Sequence, residues 1–263
     1  MTLGFIGVGH IAGAVVTGLS TSPGWSEPIL LSPRSAAMAA DLAARFPSVK
    51  VAADNQAVID GCDRLILAVR PQVAAAVLGG LAIRPDQPIL SLIGLVAEAE
   101  LRRLVRSAAI IVRACPLPSV AEHRGPIALW PADPDTEALL GRIGRVVTVE
   151  SESALHALWA ATGLIATHYR LADAIAAWLQ RRGVAPDRAA SYVAALIQAI
   201  DGPLDRPGAT GFSDLAVAAS TRGGLNEQAA RELAAGGWFG AIDGTLDRLL
   251  MRLEGEIGPP STT

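Results

Sequence analysis

Short apolar runs alternate with helical patterns along residues 1–149 of this 263-residue chain, and the alternation stops near residue 150. The runs "LGFIG", "PILL", "LILAV" and "PILSL" are typical of buried strands, and each is followed by a segment with helical spacing of its apolar residues. Strands that alternate with helices form parallel, right-handed crossovers, and the helices then cover both faces of one sheet. We therefore predict a doubly wound α/β domain over residues 1–149.

The second half of the chain, residues 150–257, has the periodicity of helices only. Apolar residues recur at spacings of three and four between Leu155 and Leu179. These Ala-rich helices carry apolar residues on more than one face, which favours a helical dimerisation domain. A compact intramolecular bundle is the alternative. We expect residues 258–263 to form a disordered tail.

Composition excludes several classes of function. The formal net charge is −3, the cations are nearly all arginine with Lys50 as the only lysine, and no basic stripe indicates nucleic-acid binding. Cys62 and Cys115 lie far apart without metal-ligand spacing, so we expect two reduced thiols and no metal site. No apolar run reaches the roughly 18–20 residues of a membrane span, and "MTLGFIGVGH" lacks the basic start of a signal peptide. We expect a soluble, cytoplasmic protein.

A glycine turn follows the first predicted strand and opens the first predicted helix. Its sequence is G-x-G-x-x-A, in which Gly7 permits the tight turn, Gly9 lets the backbone approach a pyrophosphate, and Ala12 packs the helix on the sheet. The free N–H groups of the helix start, including those of His10 and Ile11, suit phosphate oxygens. This context predicts a Rossmann dinucleotide-binding domain. The His10 side chain either contacts the phosphates or is simply solvated.

The end of the second strand distinguishes the two nicotinamide cofactors. An acidic residue there would bind the ribose 2′-hydroxyl of NADH. This chain instead has Ser32, Arg34 and Ser35, and a cation flanked by hydroxyls suits a 2′-phosphate. The pattern predicts NADPH, with NADH less favoured. The alternative is that Arg34 is a solvated surface residue.

Two more strand ends face the same predicted crevice. Asn55 follows the third strand and is a candidate ribose ligand, while Ala68, Val69, Arg70 and Pro71 close the fourth strand. Ligands of open α/β sheets bind at the carboxyl ends of the strands. We therefore assign all five residues to the cofactor site; the alternative for Arg70 is a purely structural cation.

The order of these motifs resembles the pyrroline-5-carboxylate reductase family. The resemblance is carried by "GFIGVGHIAGAVVTGL", "LILAVRPQ", "LSLIGLVAEAELRRL", "IVRACPLPSVAEHRG" and "ASTRGGLNEQA", which follow the family's order over nearly the whole chain. It implies an N-terminal Rossmann domain, a C-terminal helical domain, and dimers that interlock through the helices. It also implies hydride transfer from NAD(P)H to the carbon of a cyclic C=N bond.

The chain departs from the family's pattern at positions that concern the substrate. Arg70 stands where the family has lysine, and residues 115–119 read Cys-Pro-Leu-Pro-Ser in place of Met-Pro-Asn-Thr-Pro. The late loop has the family's two glycines, but its two following threonines are replaced by Leu225 and Asn226. The cofactor half therefore matches better than the substrate half, which predicts a related but different substrate.

The resemblance assigns substrate binding to this late loop. Carried over by position, Gly223 and Gly224 supply backbone N–H groups to an anion, and Leu225 borders the substrate. Arg222 is a candidate partner for a substrate carboxylate. The alternative is that the glycines only end one helix while the next residues cap the following helix.

The same resemblance places catalysis at Asn226, where the family has the threonine that bonds the imine nitrogen. An amide donates a hydrogen bond but is a poor acid, so Thr221, Glu227 or water is required to relay the proton. Glu122 and His123, after the sixth strand, are further candidate substrate contacts.

Two other functions compete with imine reduction. A hydroxyacid or 6-phosphogluconate-type dehydrogenase shares the layout but depends on a lysine in its helical half, which this chain lacks. A cofactor-binding sensor or scaffold without catalysis is compatible with the altered loops.

Overall fold

The computed structural model describes residues 1–106, 109–201 and 211–258 and divides the chain into two compact units. One unit is Met1–Trp159 with Leu250–Thr263, and the other is Ala160–Leu249. The predicted class, an α/β domain followed by helices, is confirmed. The predicted tail falls almost wholly on residues 259–263, which lie outside the described residues.

The first unit contains one sheet of eight strands: β1 (Leu3–Ile6), β2 (Ile29–Leu31), β3 (Val49–Val51), β4 (Arg64–Leu67), β5 (Ile89–Ser91), β6 (Ile111–Cys115), β7 (Pro126–Trp130) and β8 (Arg145–Thr148). Their order in the sheet is β3-β2-β1-β4-β5-β6-β7-β8. Strands β1, β2 and β4 are parallel neighbours, so the chain reverses its direction of winding beside β1. Ligands of such sheets bind at this reversal point.

The expectation of parallel crossovers throughout is wrong at β7. Strands β6 and β7 are antiparallel, with Cys115 opposite Ala128. Only residues 116–125 connect them, with a 3-10 turn at Pro118–Glu122. A parallel crossover needs about a dozen residues or more and usually a full helix, so this connection returns the chain antiparallel.

Helices cover both faces of the sheet. One face carries α1 (His10–Thr21) and α2 (Ala36–Arg45), and the other carries α3 (Asn55–Gly61), α4 (Pro71–Leu78) and α5 (Glu98–Val105). Neighbouring residues of one strand therefore enter different cores, as Phe5 and Ile6 do. Burial on both faces explains why the strands are continuously apolar.

The remaining helices are α6 (Pro134–Leu140), α7 (Glu152–Ala161), α8 (Ile165–Arg181), α9 (Pro186–Asp201), α10 (Phe212–Ala219), α11 (Leu225–Ala235) and α12 (Trp238–Leu253). In the second unit α8 packs on α9, where Val193 is buried. Large apolar side chains remain exposed there, including Tyr169, Phe212 and Val217. Among the described helices, none combines the length and apolarity needed to cross a membrane.

Candidate functional site

A cleft of about 340 Å³ opens at the carboxyl ends of β1, β2 and β4. Nine predicted cofactor residues line it: Gly7, Gly9, Ser32, Arg34, Ser35, Asn55, Ala68, Val69 and Arg70. Strand ends that are far apart in sequence meet here because the three strands are parallel neighbours. The predicted residues His10, Ile11, Ala12 and Pro71 do not line the cleft.

Gly7 forms the tight turn after β1. Its φ is +93°, and a Cβ at this position would lie 2.8 Å from the carbonyl oxygen of Ala68. Its backbone N–H donates a 3.0 Å hydrogen bond to Oγ of Ser32, which is almost fully buried. The conformation and the space thus both require glycine, and the Ser32 hydroxyl ties the β1 turn to the end of β2.

Gly9 precedes α1 and leaves the helix start open. No atom lies within 4 Å of the place where its Cβ would be, and no side chain caps the helix. The first-turn N–H groups, those of His10, Ile11 and Ala12, are therefore without a capping side chain. Ala12 itself is buried in the core between α1 and the sheet.

Arg34 stands at the end of β2 as an exposed cation. It lines the cleft together with Ser35, and it has no ion-pair partner within the described ranges. A cation that is not neutralised by the protein is available to an anionic ligand.

The ends of β3 and β4 complete the polar rim of the cleft. Asp54 caps α3, since its Oδ1 accepts a 2.8 Å hydrogen bond from the N–H of Ala57, which leaves Asn55 facing the cleft. Arg70 is the residue before α4, and Pro71 occupies the first turn of that helix. Pro71 therefore fixes the course of the chain and does not line the cleft.

An apolar wall of the cleft was missed by the sequence interpretation. Val73 and Val77, four residues apart on α4, also line the cleft. Their spacing places them on one helical face and could have identified them. Such a wall suits a flat, partly apolar ligand group.

The glycine turn of the late loop, Thr221–Gly224, lies between α10 and α11. The Gly224 N–H donates a 2.7 Å hydrogen bond to the Thr221 carbonyl, and Gly223 has a φ of +75°. The Gly223 N–H donates to Oε2 of Glu227 at 2.6 Å. Both glycine N–H groups, which were expected to bind an external anion, are thus hydrogen-bonded within the chain.

The other candidate residues of this loop differ in exposure and bonding. Nδ2 of Asn226 donates a 2.8 Å hydrogen bond to the Ala219 carbonyl, the last of α10. Thr221 and Arg222 are exposed, and Leu225 is 85% exposed. Asn226 therefore bonds the end of α10, and no side chain caps the start of α11 at Gly224.

A buried cation on β6 was also missed. Arg113 is fully buried and forms an ion pair with Glu152 of α7, and its Nη1 lies 3.1 Å from Nε2 of His156. Burial, followed by the nearby Arg113 charge, lowers the pKa of His156 below 6.5. No periodicity reveals this cluster, since an arginine within an apolar strand pairs with residues 39 and 43 positions later.

His123, a candidate substrate contact, has a structural position instead. Its Nε2 lies 2.9 Å from the Gly18 carbonyl oxygen and 3.1 Å from Oγ1 of Thr21. Both partners belong to the C-terminal turns of α1, the end of the helix remote from the glycine turn. The side chain of Glu122 pairs with Arg124 at the surface.

A glycine turn at the reversal point of a doubly wound sheet is typical of dinucleotide-binding Rossmann domains. A family model described as "NADP oxidoreductase coenzyme F420-dependent" matches residues 2–95. A pyrroline-5-carboxylate reductase of Haemophilus influenzae is 28% identical over 172 residues, which is 61% of this chain and 62% of the relative. The match thus spans less than two thirds of the relative's length.

Two solved structures have the same fold over almost the full length. The 1-pyrroline-5-carboxylate reductase of Streptococcus pyogenes superposes with a TM-score of 0.83 at 22% identity, over 97% of this chain and 98% of that one. The NADP-bound pyrroline carboxylate reductase of Plasmodium falciparum has a TM-score of 0.81 at 15% identity, over 97% of each chain. The chain therefore resembles pyrroline-5-carboxylate reductases in sequence over part of its length and in fold over almost all of it.

Proposed function

We propose that this protein is an NADPH-dependent reductase that transfers hydride to the carbon of a cyclic C=N bond. The observation that carries the proposal is the glycine turn in the cleft. Gly7 cannot carry a side chain against Ala68, and the free space at Gly9 leads to the N–H groups of α1. This cradle fits the pyrophosphate of a dinucleotide. The similarity to a pyrroline-5-carboxylate reductase supports the reaction class.

NADPH is favoured over NADH by the residues at the end of β2. Arg34, with the hydroxyl of Ser35, would hold a 2′-phosphate, whereas Ser32 positions the glycine turn through Gly7. Asn55 would bond the ribose. When bound, the cofactor supplies a hydride to the imine carbon, and the nitrogen takes a proton, which gives a cyclic amine and NADP⁺ from imine, NADPH and H⁺.

On the substrate side, Asn226 would donate a hydrogen bond to the imine nitrogen. An amide has two hydrogens, and one is used by the Ala219 carbonyl. Because the amide is a poor acid, the proton would come from the exposed Thr221 hydroxyl or from water.

The role of Asn226 is tested by Asn226→Ala. We expect turnover to fall at least about tenfold, as for loss of a positioned polar group, with unchanged NADPH affinity in a fluorescence titration. Gln228→Ala is the matched control, because Gln228 lies on the same helix and bonds only the exposed Glu232. Unchanged turnover in Asn226→Ala would reject the role.

A homodimer through the helical unit belongs to the same proposal. Tyr169, Phe212 and Val217 are exposed in the single chain, and such apolar surface is typical of an interface. Light scattering should give the mass of two 27.1 kDa chains. A cytoplasmic location stays a prediction.

Oxidation of NADPH and NADH with cyclic imines of several ring sizes tests the activity itself. We expect oxidation of NADPH with at least one imine. Tight NADPH binding without oxidation of any imine would instead favour a nucleotide-binding sensor or scaffold.

A further inference from the structure

Glu227 turns back from the first turn of α11 onto the preceding glycine turn. Its Oε2 accepts a 2.6 Å hydrogen bond from the Gly223 N–H. The turn itself is closed by the Gly224 N–H on the Thr221 carbonyl. The chain thus supplies its own carboxylate to the backbone donor that an external anion would use.

The position of Glu227 suits a carboxylate. Gly224, which precedes α11, has no side chain to cap the helix, and Glu227 is the acidic residue of the first turn. A carboxylate is favoured at a helix N-terminus by the partial positive charge of the free N–H groups. A second carboxylate bound at this helix end would lie close to Glu227 and would be repelled by it.

An apolar side chain and a bonded amide lie beside Glu227. Leu225, 85% exposed, is the first residue of α11. The Asn226 amide is directed to the Ala219 carbonyl. Besides the exposed Thr221 hydroxyl and the Arg222 cation, the turn therefore presents an apolar side chain next to a negative one.

We propose that Glu227 is a specificity-determining residue that excludes imino acids, so that the substrate is a cyclic imine without a carboxylate beside its C=N bond. This inference rests on the proposed reductase function. The Glu227 charge would repel a substrate carboxylate. Such repulsion between like charges weakens the binding of an imino acid relative to an uncharged imine. The methylene groups of an uncharged ring would instead contact Leu225.

Two probes with the same ring test the proposal: 1-pyrroline and 1-pyrroline-5-carboxylate, each assayed with NADPH and the full chain. For the wild type we expect kcat/KM to be at least about tenfold higher for 1-pyrroline, the discrimination that one repelled charge provides. Glu227→Gln keeps an oxygen acceptor for the Gly223 N–H and removes the charge. It should shift the ratio toward the carboxylate probe by about tenfold.

Glu232→Gln is the matched control, because Glu232 lies on the same helix, is exposed, and bonds Gln228 instead of the turn. It should leave the ratio unchanged. Calorimetry with the two products adds a readout without turnover: in the presence of NADP⁺, Glu227→Gln should tighten binding of pyrrolidine-2-carboxylate more than that of pyrrolidine.

A wild type that prefers 1-pyrroline-5-carboxylate overturns the proposal, and loss of that preference in Arg222→Gln would identify Arg222 as the carboxylate partner. A ratio that Glu227→Gln leaves unchanged also overturns it. If NADPH binds but neither probe nor any other cyclic imine is reduced, the proposed function itself fails. The wild-type comparison decides between these outcomes even if a variant does not fold.

Discussion

A Cβ placed on Gly7 would lie 2.8 Å from the carbonyl oxygen of Ala68, where β1 and β4 end side by side. The left-handed backbone of Gly7 adds to this steric constraint. The glycine turn is therefore constrained by both strands of the sheet.

Gly7→Ala should weaken NADPH binding at least tenfold, which is about 1.4 kcal/mol, because the turn must shift away from Ala68. The left-handed backbone also costs a non-glycine residue about 1–2 kcal/mol of stability. Gly24→Ala is the control, since Gly24 has a φ of +72° with open space around it, outside the cleft. Fluorescence titration and urea unfolding measure both effects. An equal loss of NADPH affinity in Gly24→Ala would contradict the assignment.

Arg34→Glu should raise the KM for NADPH about tenfold or more, since a 2′-phosphate would lose a charge-assisted bond and gain a repelling charge. The KM for NADH should change much less. Steady-state kinetics with both cofactors measure this, with Arg103→Glu, on the exposed side of α5, as the control. Equal effects of Arg34→Glu on both cofactors would reject the NADPH preference.

Glu152→Ala should lower the free energy of unfolding by about 3 kcal/mol or more, because it leaves the fully buried Arg113 guanidinium without its counter-ion. The matched control is Glu122→Ala, which removes an ion pair with Arg124 in which both side chains are mostly exposed. We expect no measurable change for that variant in urea unfolding. Equal stability of Glu152→Ala and the wild type would show that Arg113 is compensated in another way.

His156 should make the protein less stable in acid. Its pKa in the folded state is lowered by burial and then by Arg113, below the usual 6.5. At a pH between the lowered pKa of the folded state and the usual 6.5 of the unfolded state, the unfolded chain binds a proton at His156 that the folded chain does not. The contribution of His156 to stability is therefore fully present above about pH 6.5 and is lost as the pH drops below it.

Urea unfolding at pH 7.5 and pH 5.5 measures this effect of His156. His156→Gln should reduce the difference in the free energy of unfolding between the two pH values. His168→Gln, at an exposed histidine of α8, should leave it unchanged. The same loss at pH 5.5 in His156→Gln as in the wild type would assign the acid sensitivity to other groups.

By itself the sequence determined the α/β class, the helical second half, and the strand ends that meet in the cleft. Gly7, Arg34 and Asn55 were predictable because periodicity identifies parallel strands, and the carboxyl ends of parallel strands lie at one edge of a sheet. These are properties of local pattern and of general topology.

Only the tertiary structure decided the direction of β7, the burial of Arg113 against Glu152, and the bond from Gly223 to Glu227. Each depends on where a side chain or a short connection is directed in space. Helical or strand periodicity carries no such information, because it states which face a residue occupies and not which partner it meets. In the late loop the sequence predicted glycine N–H groups that bind an anion; in the structure the Gly223 N–H bonds Glu227 and the Gly224 N–H bonds the Thr221 carbonyl.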